Sequence, residues 1–88
     1  MSKARIKIKF FAVTAIEVGA KEKILTVSKD LNEALKEIEK IINWPLKSNL
    51  EKNRICLMLN GRAVKMPIEK RALVDGDVMA LIPIMGGG

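Results

Sequence analysis

The 88-residue sequence has no histidine, no tyrosine and one cysteine, Cys56, and its aromatic residues are Phe10, Phe11 and Trp44 alone. A His/Cys zinc site, a Ser-His or Cys-His nucleophile and an iron–sulfur cluster held by four thiolates are excluded by count. One cysteine also excludes an internal disulfide, so neither secretion nor a stapled scaffold is implied. No apolar run approaches the ~20 residues that cross a bilayer. The basic start, Met1 to Arg5, leads into an alternating stretch instead of the apolar region of a signal peptide. The expected location is the cytosol, with no membrane partner.

Aliphatic residues carry what is present. Hydrophobic residues make up 49% of the chain, enough for one packed core and too many for a disordered tail. A chain this short buries only roughly 60–65% of its unfolded surface, so one small domain is expected. The formal net charge is +6. Such a balance fits a nucleic acid, an acidic protein partner or a lysine-rich solvated surface.

Residues 3–13 open with strict alternation. Ala4, Ile6, Ile8 and Phe10 point one way and Lys3, Arg5, Lys7 and Lys9 the other, the period of a half-buried strand. Val13 to Gly19 is expected to be a turn or outward loop, and Ile24-Leu25-Thr26-Val27 a second strand. Asp30 then caps a helix, with Glu33 in capping-box spacing, although Ser28 offers an earlier cap. Leu31, Ala34, Leu35, Ile38, Ile41 and Ile42 form its apolar stripe. Asn43 and Pro45 end it. Residues 43–53 read as a polar connection without periodicity, and Arg54 to Leu59 as a buried strand that holds Cys56 as a small core residue. Asn60-Gly61 is a type I′ hairpin signal, since both positions need positive φ. Arg62 to Lys65 returns as a short strand, residues 66–74 connect, Asp75-Gly76-Asp77 turns, and Val78 to Pro83 is the last strand. Asp75 and Asp77 read as turn residues, not as a catalytic pair. A helix packed on one face of a mixed sheet is the natural architecture.

Specific residues resemble the MoaD family, the small subunits of molybdopterin synthase, and the wider MoaD/ThiS-like group of ubiquitin-like sulfur carriers. The opening strand Ile8-Lys9-Phe10-Phe11-Ala12 and the hairpin Leu59-Asn60-Gly61-Arg62 are similar to that family's. So is the close, in which Asp75-Gly76-Asp77 leads through an apolar strand and Pro83 to Gly87-Gly88. The resemblance implies an α+β, β-grasp (ubiquitin-like) fold. A mixed four- to five-stranded sheet would pack on one main helix over residues 1–85, with residues 86–88 as a flexible glycine tail. Gly86 stands where a side chain is common, Ile84 where a second proline is common, and the surface is unusually basic.

The resemblance also implies a function. An E1-like adenylyltransferase of the MoeB/ThiF type would adenylate the Gly88 carboxylate with Mg-ATP, and a sulfur donor would convert it to a thiocarboxylate. A MoaE-type large subunit of molybdopterin synthase would then receive the sulfur. The chain itself would bind no cofactor and would serve as a co-substrate, not an enzyme. A free α-carboxyl is an anion at neutral pH and can attack phosphorus. Gly86 and Gly87, without Cβ, can thread a narrow channel; the plain alternative is a frayed terminus. Met79 and Leu81 are expected to face the helix, leaving Ala80, Ile82, Pro83, Ile84 and Met85 for partner docking. The row Lys3, Arg5, Lys7, Lys9 reads as a solvated strand face that discourages edge pairing; RNA binding is disfavoured because no aromatic platform is evident. A ubiquitin-like modifier, a donor for thiamine thiazole or tRNA thiolation, and a basic RNA-binding β-grasp module stand as alternatives.

Overall fold

The computed structural model describes residues 2–84. Eight elements follow in order: β1 (Lys3–Phe10), α1 (Ala12–Val18), β2 (Glu22–Ser28), α2 (Leu31–Ile42), α3 (Leu46–Glu51), β3 (Ile55–Leu59), β4 (Arg62–Ala63) and β5 (Val78–Pro83). The strands form one sheet in the order β2-β1-β5-β3-β4. β1 and β5 run parallel, and every other pair is antiparallel. This is the β-grasp arrangement, with the sheet at five strands.

The alternation of β1 holds along its length: Ala4, Ile6, Ile8 and Phe10 are buried against the helical layer. α2 supplies the other half of the core with Leu31, Ala34, Leu35, Ile38 and Ile42. Each fully buried aliphatic side chain of this kind contributes about 1.5–3 kcal/mol. Asp30 caps α2 by accepting the Glu33 backbone N–H at 3.0 Å, while its own N–H donates to Ser28 Oγ at 3.2 Å. Ser28 therefore takes the place that the Glu33 side chain would fill in a full capping box. Asn43, left-handed at φ 52°, ends the helix.

Several sequence expectations are corrected. Val13 to Gly19 is no loop: it forms most of α1, ended by Gly19 at φ 86°. The polar connection at 43–53 contains α3, which buries Leu46 and Leu50, and Trp44 packs beside it. Ile41 leaves the apolar stripe and is exposed, because Leu31, Leu35, Ile38 and Ile42 already fill the angle facing the sheet. Arg54, Val64 and Lys65 lie outside the strands. Cys56 is only partly buried, since it points to the face of the sheet away from α2. β1 lies between β2 and β5, so its cations protect no edge. Lys3 leaves the row and reaches Glu37 of α2 at 3.6 Å.

Candidate functional site

β5 is hydrogen-bonded on both sides, to β1 and to β3, and lies at the centre of the sheet. Alternation then divides it cleanly. Met79 and Leu81 are fully buried under the helices, and Val78, Ala80 and Ile82 point to the uncovered face. Register extends that face sideways, because Ile82 pairs with Cys56, and Ala80 pairs with Met58, which in turn pairs with Ala63. The result is an apolar strip across β5 and β3, with Cys56 Sγ 3.8 Å from Met58 Sδ. On the other side Lys7 lies beside Val78 and Lys9 beside Ala80.

The start of β5 is clamped by the buried Asp77. Its carboxylate accepts Asn60 Nδ2 at 2.9 Å and the Val74 backbone N–H at 2.9 Å, and Asn60 Oδ1 accepts the Val78 N–H at 2.9 Å. Asn60 and Gly61 have φ of 51° and 82°, the left-handed pair expected of a type I′ turn. Asp75 accepts the Arg5 backbone N–H at 2.8 Å. Both aspartates thus hold turns, as their position around Gly76 suggests.

Pairing persists to the end of the strand. Pro83 lies opposite Ile55, and the Ile84 N–H donates to the Arg54 carbonyl at 2.9 Å. Of the sequence-derived docking residues, Ala80 and Ile82 share the open face, Ile84 is exposed, and Pro83 turns to a cleft at the sheet's end. That cleft, of about 450 Å³, is also lined by Val13, Thr14, Glu17, Trp44 and Arg54. Trp44 Nε1 donates to Glu17 Oε1 across it at 2.9 Å. Met85, Gly86, Gly87 and Gly88 lie outside the described residues.

Two exposed apolar residues at this end escaped the sequence reading. The Phe11 N–H donates to the Leu81 carbonyl at 3.3 Å, which sets the half-exposed Phe11 next to Ile82. Val13, also half exposed, lies across the cleft from Pro83. The signal for Phe11 was its adjacency to Phe10: in an alternating strand only one of the two can enter the core. Val13 had none, because α1 was not anticipated. Among the described residues, no three His, Cys, Asp or Glu side chains are grouped to hold a metal ion.

The ThiS family profile matches residues 8–88. Several solved structures resemble the chain over nearly its whole length. Small archaeal modifier protein 1 from Methanosarcina acetivorans is 20% identical with a TM-score of 0.75, covering 100% of both chains. The Haloferax volcanii HVO 2177 protein is 26% identical with a TM-score of 0.74, over 98% of this chain and 88% of that one. A chain of the complex of subunits 1 and 2 of molybdopterin-converting factor from Helicobacter pylori is 23% identical with a TM-score of 0.58, over 96% of this chain and 99% of that one. None of the curated proteins matches the sequence.

Proposed function

Because the chain belongs to the ThiS family, we propose that it is a sulfur carrier whose reacting group is the carboxylate of Gly88. An E1-like adenylyltransferase of the MoeB/ThiF type binds the chain and Mg-ATP. A carboxylate oxygen attacks the α-phosphorus, pyrophosphate leaves, and an acyl-adenylate remains. Sulfide (HS⁻) released by the donor attacks the acyl carbon, AMP leaves with the electron pair of the broken C–O bond, and loss of the sulfur's proton leaves a thiocarboxylate. The best-supported use of that sulfur is molybdopterin synthesis with a MoaE-type large subunit. The Phe10-Phe11 strand and Pro83 favour that branch, as does the likeness to one chain of a two-subunit molybdopterin-converting factor. Domain roles follow: residues 1–85 present the docking surface and residues 86–88 deliver the carboxylate.

One observation carries this reading. The family match runs through Gly88, and a strand pinned on both sides, with an apolar outer face, ends at Pro83, two residues short of the glycines. Acyl-adenylate chemistry needs the carboxylate in line with a phosphate, and misplacement by about 1 Å can cost roughly 100-fold. A rigid strand docked through Ala80, Ile82 and Ile84, with Phe11 beside them, sets where the glycines begin. The glycines, with no side chains, then enter the enzyme.

The likeness to a small archaeal modifier protein favours a second reading, in which the activated terminus is passed to lysines as an isopeptide. Intact mass separates the two. After incubation with the activating enzyme of the same genome, Mg-ATP and a sulfur donor, the carrier reading expects the mass gain of one sulfur for one oxygen. Conjugates of higher mass would establish the modifier reading, and an unchanged mass would refute both.

A further inference from the structure

The open face of the sheet carries a row of cations that its own fold does not need. Arg5, Lys7 and Lys9 lie on β1, about 6.6 Å apart along the strand. Charges of this kind commonly protect sheet edges, but β1 is an interior strand with β2 and β5 on either side. Their repulsion is only partly compensated within the chain, by Glu22, which lies opposite Lys9 in the register, and by Asp75, which borders the same groove as Arg5. Lys7 meets Glu22 at 3.7 Å in an exposed pair, and among the described residues no carboxylate lies within ion-pair distance of Arg5 or Lys9. Asp75, at the turn, accepts the Arg5 backbone N–H at 2.8 Å. An exposed pair like Lys7–Glu22 contributes at most about 1 kcal/mol.

Beside the row, about 4.8 Å away across the sheet, runs the apolar strip of Val78, Ala80 and Ile82. A shallow groove of about 360 Å³ crosses β1 on this face, where Arg5 and Lys7 lie among Ile24 of β2, Val78 of β5 and the turn residues Asp75 and Gly76. Apolar contact and positive charge therefore belong to one surface. We infer that this face docks on an acidic protein surface, in which a row of carboxylates meets Arg5, Lys7 and Lys9 while an apolar patch covers Val78, Ala80 and Ile82. The inference rests on the sulfur-carrier reading, and its occupant is the activating enzyme of that reading. Nucleic acid fits the face less well. Of the chain's aromatics, Phe10 and Trp44 are buried and Phe11 lies only at the margin, so the strip offers aliphatic and sulfur side chains where bases would need stacking partners.

Charge complementarity acts mainly on encounter and falls with salt, the Debye length shrinking from about 10 Å at 0.1 M to about 3 Å at 1 M. The test is the KM for the carrier in ATP-dependent adenylation, measured at low and high salt. KM should rise about tenfold between about 0.05 and 0.5 M salt. Arg5→Glu with Lys9→Glu should raise the low-salt KM about tenfold or more and flatten the salt response, with Arg5→Gln and Lys9→Gln in between. Lys40→Glu with Lys52→Glu makes the same change in net charge on the helical side, and should shift KM by less than about threefold. Melting curves establish that each variant is folded. A salt-independent KM, or equal shifts from both pairs of reversals, would overturn the inference. So would unchanged KM in the Arg5/Lys9 variant together with its loss of binding to a labelled uridine oligonucleotide, which would make the row a nucleic-acid surface. If the wild-type chain is not adenylated at all, the sulfur-carrier reading fails first and this inference with it.

Discussion

Leu81 and Ile82 are neighbours in sequence and opposites in environment, which allows stability and docking to be separated by one step along β5. Leu81 is fully buried between β1 and β3, while Ile82 is 37% exposed on the open face. Leu81→Ala removes core volume from a strand held on both sides and unable to collapse inward, so it should cost about 2–5 kcal/mol. Against a total of about 4–13 kcal/mol for a domain of this length, that is a large share, and the melting temperature should fall by roughly 10–30 °C. Ile82→Arg keeps an aliphatic stem over the strip and puts the charge in water, so stability should change by less than about 1 kcal/mol. It removes an apolar contact from the proposed interface, however, which contributes about 1.5–3 kcal/mol, or roughly 10- to 100-fold in affinity. Circular dichroism melts and the KM for adenylation report the two effects separately. Should Ile82→Arg unfold the protein while Leu81→Ala melts normally, the assignment of faces is reversed and the docking surface with it.

Other outcomes follow from the same geometry. Asp77→Ala strips the clamp of both hydrogen bonds to its carboxylate and should lose about 2–4 kcal/mol by urea denaturation, with Asp77→Asn losing less. Asp30→Ala should lose about 1 kcal/mol as a missing helix cap without altering adenylation, as melting and activity together would show. Gly87→Ala should lower thiocarboxylate yield by about tenfold or more, because a Cβ narrows the path through the enzyme, whereas Gly86→Ala should change it little. Equal, near-normal yields would mean that the glycines act only as a leash.

The parts of the fold legible in the sequence are those in which one local period decides burial. β1 alternates because one face meets α2 and the other meets water. α2 declares itself by a stripe that the sheet covers, and the Asn60-Gly61 and Asp75-Gly76 turns by residues suited to positive φ. α1 stayed hidden because Thr14 is its only buried residue and Ile16 is 80% exposed, so no apolar stripe marks a seven-residue helix rich in β-branched side chains. α3 has two anchors, Leu46 and Leu50, too few to establish a period. Cys56 reads as a core residue from the sequence because a run such as Ile55 to Leu59 carries no mark of which side is covered. The strand order that sets β1 beside β5 comes from long-range packing, and with it the meeting of the cationic row and the apolar strip. Ala80 and Ile82 are legible from strand phase alone, and Phe11 from its place beside Phe10; Val13 requires α1.

The proposed reaction at Gly88 is open to a direct test. Among the described residues, every member of the hydrophobic core lies between Ala4 and Leu81, so a chain lacking Gly87 and Gly88 should melt as the full chain does. Both proteins would be incubated with the activating enzyme, Mg-ATP and a sulfur donor, and their intact masses measured. The full chain should gain the mass of one sulfur in place of one oxygen, and the shortened chain should return unchanged, with no AMP adduct. Conversion of the shortened chain at the rate of the full one would show that the terminal glycine carboxylate is not the reacting group.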